Sequence, residues 1–103
     1  MSERRTDLDR LIHEPARLHL VTNLYVVDEA DFVYLSQRTG LTAGNISTHM
    51  SRLESAGYVA IQKAFVGKRP RTTYRLTREG RAAFERYRAD ISALLTDGTA
   101  SSS

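Results

Sequence analysis

Between residues 65 and 72 the chain reads FVGKRPRT, and three cations, Lys68, Arg69 and Arg71, fall within four consecutive positions. Guanidinium and ammonium groups at this density suit phosphate chemistry, since an arginine offers a planar fork of donors that matches two acceptor oxygens. Gly67 and Pro70 bend the chain beneath them, so the charge sits on a turn. A second set lies upstream in LTAGNISTHMSRLESAGY. Thr42, Ala43, Gly44, Asn45, Ser47, Thr48, Ser51 and Arg52 are small or hydrogen-bonding, and no carboxylate appears before Glu54. Asparagine can pair in two-pronged fashion with adenine, arginine with guanine or a phosphate, and threonine with a base edge or a phosphate. Small residues let the backbone come close. A solvated loop and the polar side of an amphipathic helix would use the same residue types, so position has to decide.

Other chemistries lack their residues. The chain has no cysteine, which excludes a disulfide framework, a thiolate nucleophile and a thiolate metal site. His13 and His19 are six apart, away from the i, i+4 spacing of a helical metal pair, and His49 falls toward the apolar side of its segment. No metal or other cofactor is expected. No serine or threonine has a convincing base beside it, and no phosphate-binding loop occurs; DEAD at residues 28–31 is an acidic turn after a helical stretch. An enzyme is not expected.

The formal net charge is only +3, but it is segregated. Residues 1–40 hold five arginines against seven carboxylates, and residues 89–103 add only two aspartates. Residues 41–88 carry ten Lys or Arg, Lys63 among them, against three Glu. Such a block is the electrostatic footprint of a nucleic-acid surface. A length of 103 residues suits one domain with one modest core. No stretch approaches the ~20 apolar residues that span a bilayer, and MSERRTDLDR lacks the apolar core of a signal peptide. The expectation is a cytoplasmic protein with no membrane partner.

Periodicity gives five helical segments and one hairpin. TDLDRLIHEP places Leu8, Leu11 and Ile12 at helical spacing and stops at Pro15, which suits the first turn of a second helix. That helix carries Leu18, Val21, Leu24 and Tyr25 down to about Val27. A short third helix, with Phe32, Leu35 and Tyr34 inward, ends at Gly40. Thr42 caps the fourth, whose Ile46, Met50, Leu53 and Ala56 share one face. YVAIQKAFV and TTYRLT alternate as strands, with Val59, Ile61 and Phe65 on one side and Tyr74 and Leu76 joining them. After Thr77, the last helix sets Phe84, Tyr87, Ile91 and Leu94 at spacings 3, 4 and 3.

A short helix, a tight turn through Gly40 and Leu41, and an amphipathic helix make a helix-turn-helix, whose second helix enters the major groove N-terminus first. A ribbon tipped with Lys68, Arg69 and Arg71 directly after it is a wing, placed to reach the minor groove. From about Leu8 to Leu95 the chain resembles the small winged-helix transcriptional regulators of the MarR/ArsR superfamily, above all the compact single-domain MarR-like group. The stretches that carry the resemblance are LIHEPARLHLVTNL, LTAGNISTHMSRLESAGYV and FVGKRPRTTYRLTREGRAAFERY. It implies a repressor or activator working as a homodimer on a palindromic operator. It also implies recognition by the helix from Thr42 to Ala56 and by the wing from Gly67 to Thr73. Val33 departs from the family, which often has a serine or threonine cap there.

Dimerisation also follows from the apolar seam of the last helix, which needs more cover than one small core supplies. Leu8, Leu11 and Ile12 of the first helix and the Phe84, Tyr87, Ile91, Leu94 and Leu95 side of the last are the candidate interface. The expected class is mainly α with a small β-hairpin: a winged helix-turn-helix with an additional C-terminal helix. Residues 1–96 form the DNA-binding domain with its dimerisation helices, and residues 97–103 a disordered tail. The function expected is a sequence-specific, homodimeric DNA-binding regulator, a repressor, with double-stranded DNA and itself as partners and any small-molecule effector unknown. The alternative is a winged-helix module that binds protein, or DNA only as an architectural factor.

Overall fold

The computed structural model describes residues 8–102, with side chains to residue 96. Helices α1 (Pro15–Val27), α2 (Phe32–Thr39), α3 (Ala43–Ser55) and α4 (Arg78–Ser102) combine with strands β1 (Glu29–Asp31), β2 (Val59–Val66) and β3 (Arg69–Leu76). The strands form one antiparallel sheet in the order β1-β3-β2. This is the expected winged helix with its extra C-terminal helix, and it has one strand more than a hairpin. None of the described helices is long and apolar enough to cross a membrane.

The chain before Pro15 departs from expectation. Within the described part, residues 10–12 form a turn rather than a helix. Asp9 directs it: one carboxylate oxygen accepts from the Leu11 and Ile12 N–H groups at 2.9 and 3.2 Å. The other accepts from the Tyr58 hydroxyl at 2.6 Å. A short carboxylate that bonds the backbone locally competes with a helix, and Pro15 leaves no room to extend one. The turn drops Ile12 into the core, where it is fully buried. The stretch of the expected helix before Leu8 lies outside the described residues.

Capping then sets each helix start. The Glu14 carboxylate accepts from Arg17 N–H at 2.8 Å and opens α1 with Pro15 in its first turn. That backbone bond holds the Glu14 carboxyl below its ordinary value. Asp31 caps α2 by accepting from Tyr34 N–H at 2.8 Å, so Val33 is not the cap position. Thr42 caps α3 through Asn45 N–H at 3.2 Å. Between α2 and α3, Gly40 turns at φ 74° and Thr39 Oγ1 ties the loop by accepting from Leu41 N–H.

The acidic turn does more than cap. Glu29, Ala30 and Asp31 pair with Arg75, Tyr74 and Thr73, making β3 the central strand at its α4-proximal end. Ala30 is buried there. The fully buried core is Ile12, Leu20, Leu24, Leu35, Ile46, Met50 and Leu53, with Val59, Tyr74, Leu76, Phe84 and Tyr87 closing it. The Tyr25 and Phe84 rings meet at a tilt, centroids 4.9 Å apart, between α1 and α4, and the Arg81 guanidinium lies 4.7 Å over the Tyr25 ring. Ala56, expected inward, is exposed because α3 has already ended at Ser55.

The start of α4 is clamped to the end of α3. Thr77 donates its hydroxyl to Gly57 O at 2.5 Å and accepts from Gly80 N–H at 3.0 Å, and Thr77 N–H reaches Tyr58 O at 3.0 Å. A side chain at Gly80 would put its Cβ 2.0 Å from Tyr58 O. Beyond its core contacts α4 continues through residues 97–102, the stretch whose composition leads one to expect a tail.

Two predictions follow from these contacts. Gly80→Ala should destabilise the fold by about 3 kcal/mol, because backbone must move rather than a side-chain end; a thermal melt unchanged from wild type would refute the close approach. The Tyr58 hydroxyl is pushed up from 10.0 to about 12, first by its hydrogen bond to Asp9 and then by burial. The folded chain therefore holds this proton more tightly than the unfolded one. Its contribution is complete below the unfolded value of 10.0 and disappears as pH rises through about 12. Urea midpoints compared at roughly pH 9 and roughly pH 11.5 should fall less for Tyr58→Phe than for wild type; an equal fall would place the alkaline loss elsewhere.

Candidate nucleic-acid interface

Ile46, Met50 and Leu53, all fully buried, pin one side of α3 against the core. With 3.6 residues per turn the opposite side must face out. Thr42, Ala43, Gly44, Asn45, Ser47, Thr48, Ser51 and Arg52 are all exposed, as the sequence expects. A side chain at Gly44 would meet nothing within 4 Å, so the fold itself does not call for glycine there. The N-terminus of α3 has no acidic residue in its first turn, and its open N–H groups and dipole favour an anion.

The register of the hairpin sorts the wing residues onto two sides. Val59, Ile61, Lys63 and Phe65 face the same way as Leu76, Tyr74, Thr72 and Pro70, their partners across the ladder. This is the side turned to α3. Ser47, Ser51 and Glu54 of the helix and Ile61, Lys63, Thr72 and Tyr74 of the sheet line an open groove of about 510 Å³. Burial raises the Tyr74 hydroxyl above its ordinary value, so its proton stays on. Glu54 was not among the expected contact residues. It is a carboxylate on the groove wall, where it repels phosphate and can accept from a cytosine amino group.

On the other side lie Ala64, Arg71, Thr73 and Arg75. Arg71 donates to Asp31 Oδ2 at 3.4 Å, so the third expected cation of the wing is tied to the cap of α2. Thr73 departs furthest from expectation as a contact residue. It is only 8% exposed, because β1 and β2 pair with it from both edges. The sequence carries no period-2 signal for β1, and so none for this second neighbour. The turn itself takes just Gly67, at φ 65°, and Lys68, which suits a tight hairpin with glycine first. Lys68 and Arg69 are exposed and their side chains make no hydrogen bond or ion pair among the described residues, and the same holds for the side chains of Arg52 and Lys63.

His49 sits half-buried behind the helix, with its Nδ1 3.3 Å from Arg17, in a packing role. The residues expected at a dimer interface divide. Ile12, Phe84 and Tyr87 are buried within one chain, Tyr87 with its hydroxyl 2.7 Å from His13 Nδ1. Leu8, Leu11 and Ile91 are half-buried, and Leu94 and Leu95 are 47% and 66% exposed.

A helix with a small, polar outer side, a groove beside it and a cationic two-stranded arm is the signature arrangement of one family, and residues 16–95 match its description, winged helix DNA-binding domain. The chain belongs to that family. An uncharacterised protein of Methanocaldococcus jannaschii, MJ0432, is 31% identical over 82 residues, 80% of this chain and 89% of the relative. A transcriptional regulator homologue from Pyrococcus horikoshii OT3 superposes with a TM-score of 0.80 at 28% identity, over 88% of this chain and 89% of that one. Reduced AbfR bound to DNA matches with a TM-score of 0.67 at 20% identity, a likeness of fold, over 74% of this chain. The chain spans about half of that longer protein, 52%. The fold is thus that of a winged helix DNA-binding domain, and it is shared with a solved transcriptional regulator homologue.

The pairing of Arg71 separates it from its neighbours. Arg69→Ala should lower the slope of log K against log salt for DNA binding by about 1, as loss of a phosphate contact does. Arg71→Ala should leave the slope unchanged. Equal drops for both would show that Arg71 abandons Asp31 for DNA.

Proposed function

We propose that the protein is a homodimeric repressor that reads a palindromic operator, with α3 in the major groove and the wing tip at the minor groove. The observation that carries this is the outer side of α3. Gly44, Thr48 and Ser51 point away from the core, Asn45 and Arg52 flank them, and no carboxylate precedes Glu54. Protein-binding surfaces favour apolar anchors; this one offers hydrogen-bonding groups beside unpaired cations, which suits base edges and phosphates. That a protein of the same fold has been solved on DNA supports the reading.

Dimerisation rests on α4. A helix of 25 residues is about 37 Å long, and among the described side chains, which end at residue 96, its buried residues reach no further than Tyr87. Ile91 and Leu94 continue the same seam beyond the core, and Leu8 and Leu11 lie half-covered. A two-fold partner would cover them and set two α3 helices one DNA turn apart, ~34 Å. A regulator of this kind works at the chromosome, which supports a cytoplasmic location.

Fluorescence anisotropy on the DNA upstream of its own gene and on a shuffled duplex tests the reading. A preference of ~10³ or more at physiological salt is expected. Equal binding to both that collapses with salt would leave an architectural role, and no binding at low salt would leave a protein partner. Leu94→Glu should sediment as a monomer and lose most of the preference; a variant that stays dimeric would remove α4 from the interface.

A further inference from the structure

Phe65 and Val66 stand 73% and 62% exposed at the far end of β2. The sheet order β1-β3-β2 makes β2 an edge strand, and β1 covers β3 only at Thr73–Arg75. The end of the hairpin is therefore a two-stranded arm with no further strand on either flank among the described residues. Phe65 pairs with Pro70 across the ladder, on the side that also carries Lys63 and Thr72. An exposed aromatic on an edge strand invites association and is normally replaced by a polar residue. Here it is kept, with Lys63 on the same side of the ribbon and Lys68 and Arg69 at the adjoining turn.

The surroundings select the occupant. A second copy pairing edge to edge would bring these cations against their own kind. An apolar protein surface would leave them without partners. The minor groove of DNA offers both chemistries at once, apolar deoxyribose walls between two rows of phosphate. We propose that Phe65, backed by Pro70, is an apolar wedge that the wing sets into the minor groove, with Lys68 and Arg69 on the bordering phosphates. This rests on the DNA-binding reading above and adds an uncharged contributor to a wing otherwise read through its cations.

The uncharged contribution gives it a separate signature. Anisotropy with the full chain on its operator duplex, titrated with salt, would compare wild type, Phe65→Ser, Phe65→Leu and Arg69→Ala at a temperature where circular dichroism shows each folded. Phe65→Ser should bind roughly tenfold more weakly or worse at every salt concentration with the slope unchanged, and Phe65→Leu should stay within about threefold of wild type. Arg69→Ala should instead change the slope. Phe65→Ser binding within about twofold of wild type would overturn the wedge while leaving the regulator reading intact. A loss of affinity accompanied by a shift to monomer on sedimentation would assign Phe65 to a second copy and overturn it too. Failure of wild type to bind any duplex would remove both.

Discussion

Three side chains hold the outer side of α3 in place. Ile46, Met50 and Leu53, spaced by one helical turn each and excluded from water, fix the rotation of α3 about its own axis. Their burial stabilises the helix by roughly 1.5–3 kcal/mol for each side chain, far more than any surface pair near it. With the rotation fixed, the outward direction of Gly44, Thr48 and Ser51 follows from geometry alone. The caps complete the arrangement. Thr42 satisfies one N–H and leaves the other first-turn groups facing solvent, where an anion can take them.

The remaining elements set where the wing lies relative to that helix. Thr77 and Gly80 lock the β3–α4 junction to Gly57 and Tyr58 at the end of α3, so the hairpin and the helix share one anchor. Asp9 joins the N-terminal turn to the same anchor through Tyr58. On the other edge of β3, Asp31 caps α2 and pairs with Arg71, linking the helix-turn-helix to the wing two residues below its last ladder pair. That ion pair is half exposed and worth little in stability, yet it removes one cation from the probe and leaves Lys68 and Arg69 at the tip. The wing is thus rigid at its base and open at its end.

Much of this was legible in the sequence where periodicity and turn chemistry agreed. The stripe of α3, the Thr42 cap, the left-handed Gly40 and the pairing of Val59 and Ile61 with Leu76 and Tyr74 each follow from residue types at fixed offsets. The exposure of the small and polar residues on the outer side of α3 followed with them. The failures share a cause. β1 has three residues and one apolar side chain, too few for a period of two to register, and without β1 nothing in the sequence gives Thr73 a second neighbour. The Asp9 turn was hidden because Leu8, Leu11 and Ile12 fit a helix as well as a turn. The competing signal was a carboxylate two and three residues before the N–H groups it binds. Arg71 carried no mark of its partner, since Asp31 is forty positions away in sequence.

The placement of α3 and the wing is open to direct measurement by dimethyl sulfate protection of the bound operator, which reports guanine N7 in the major groove and adenine N3 in the minor groove. Two clusters of N7 protection about one helical turn apart, each flanked outward by N3 protection, are the predicted result. N3 protection alone, or a footprint without N7 protection anywhere in the site, would contradict the assignment of α3 to the major groove.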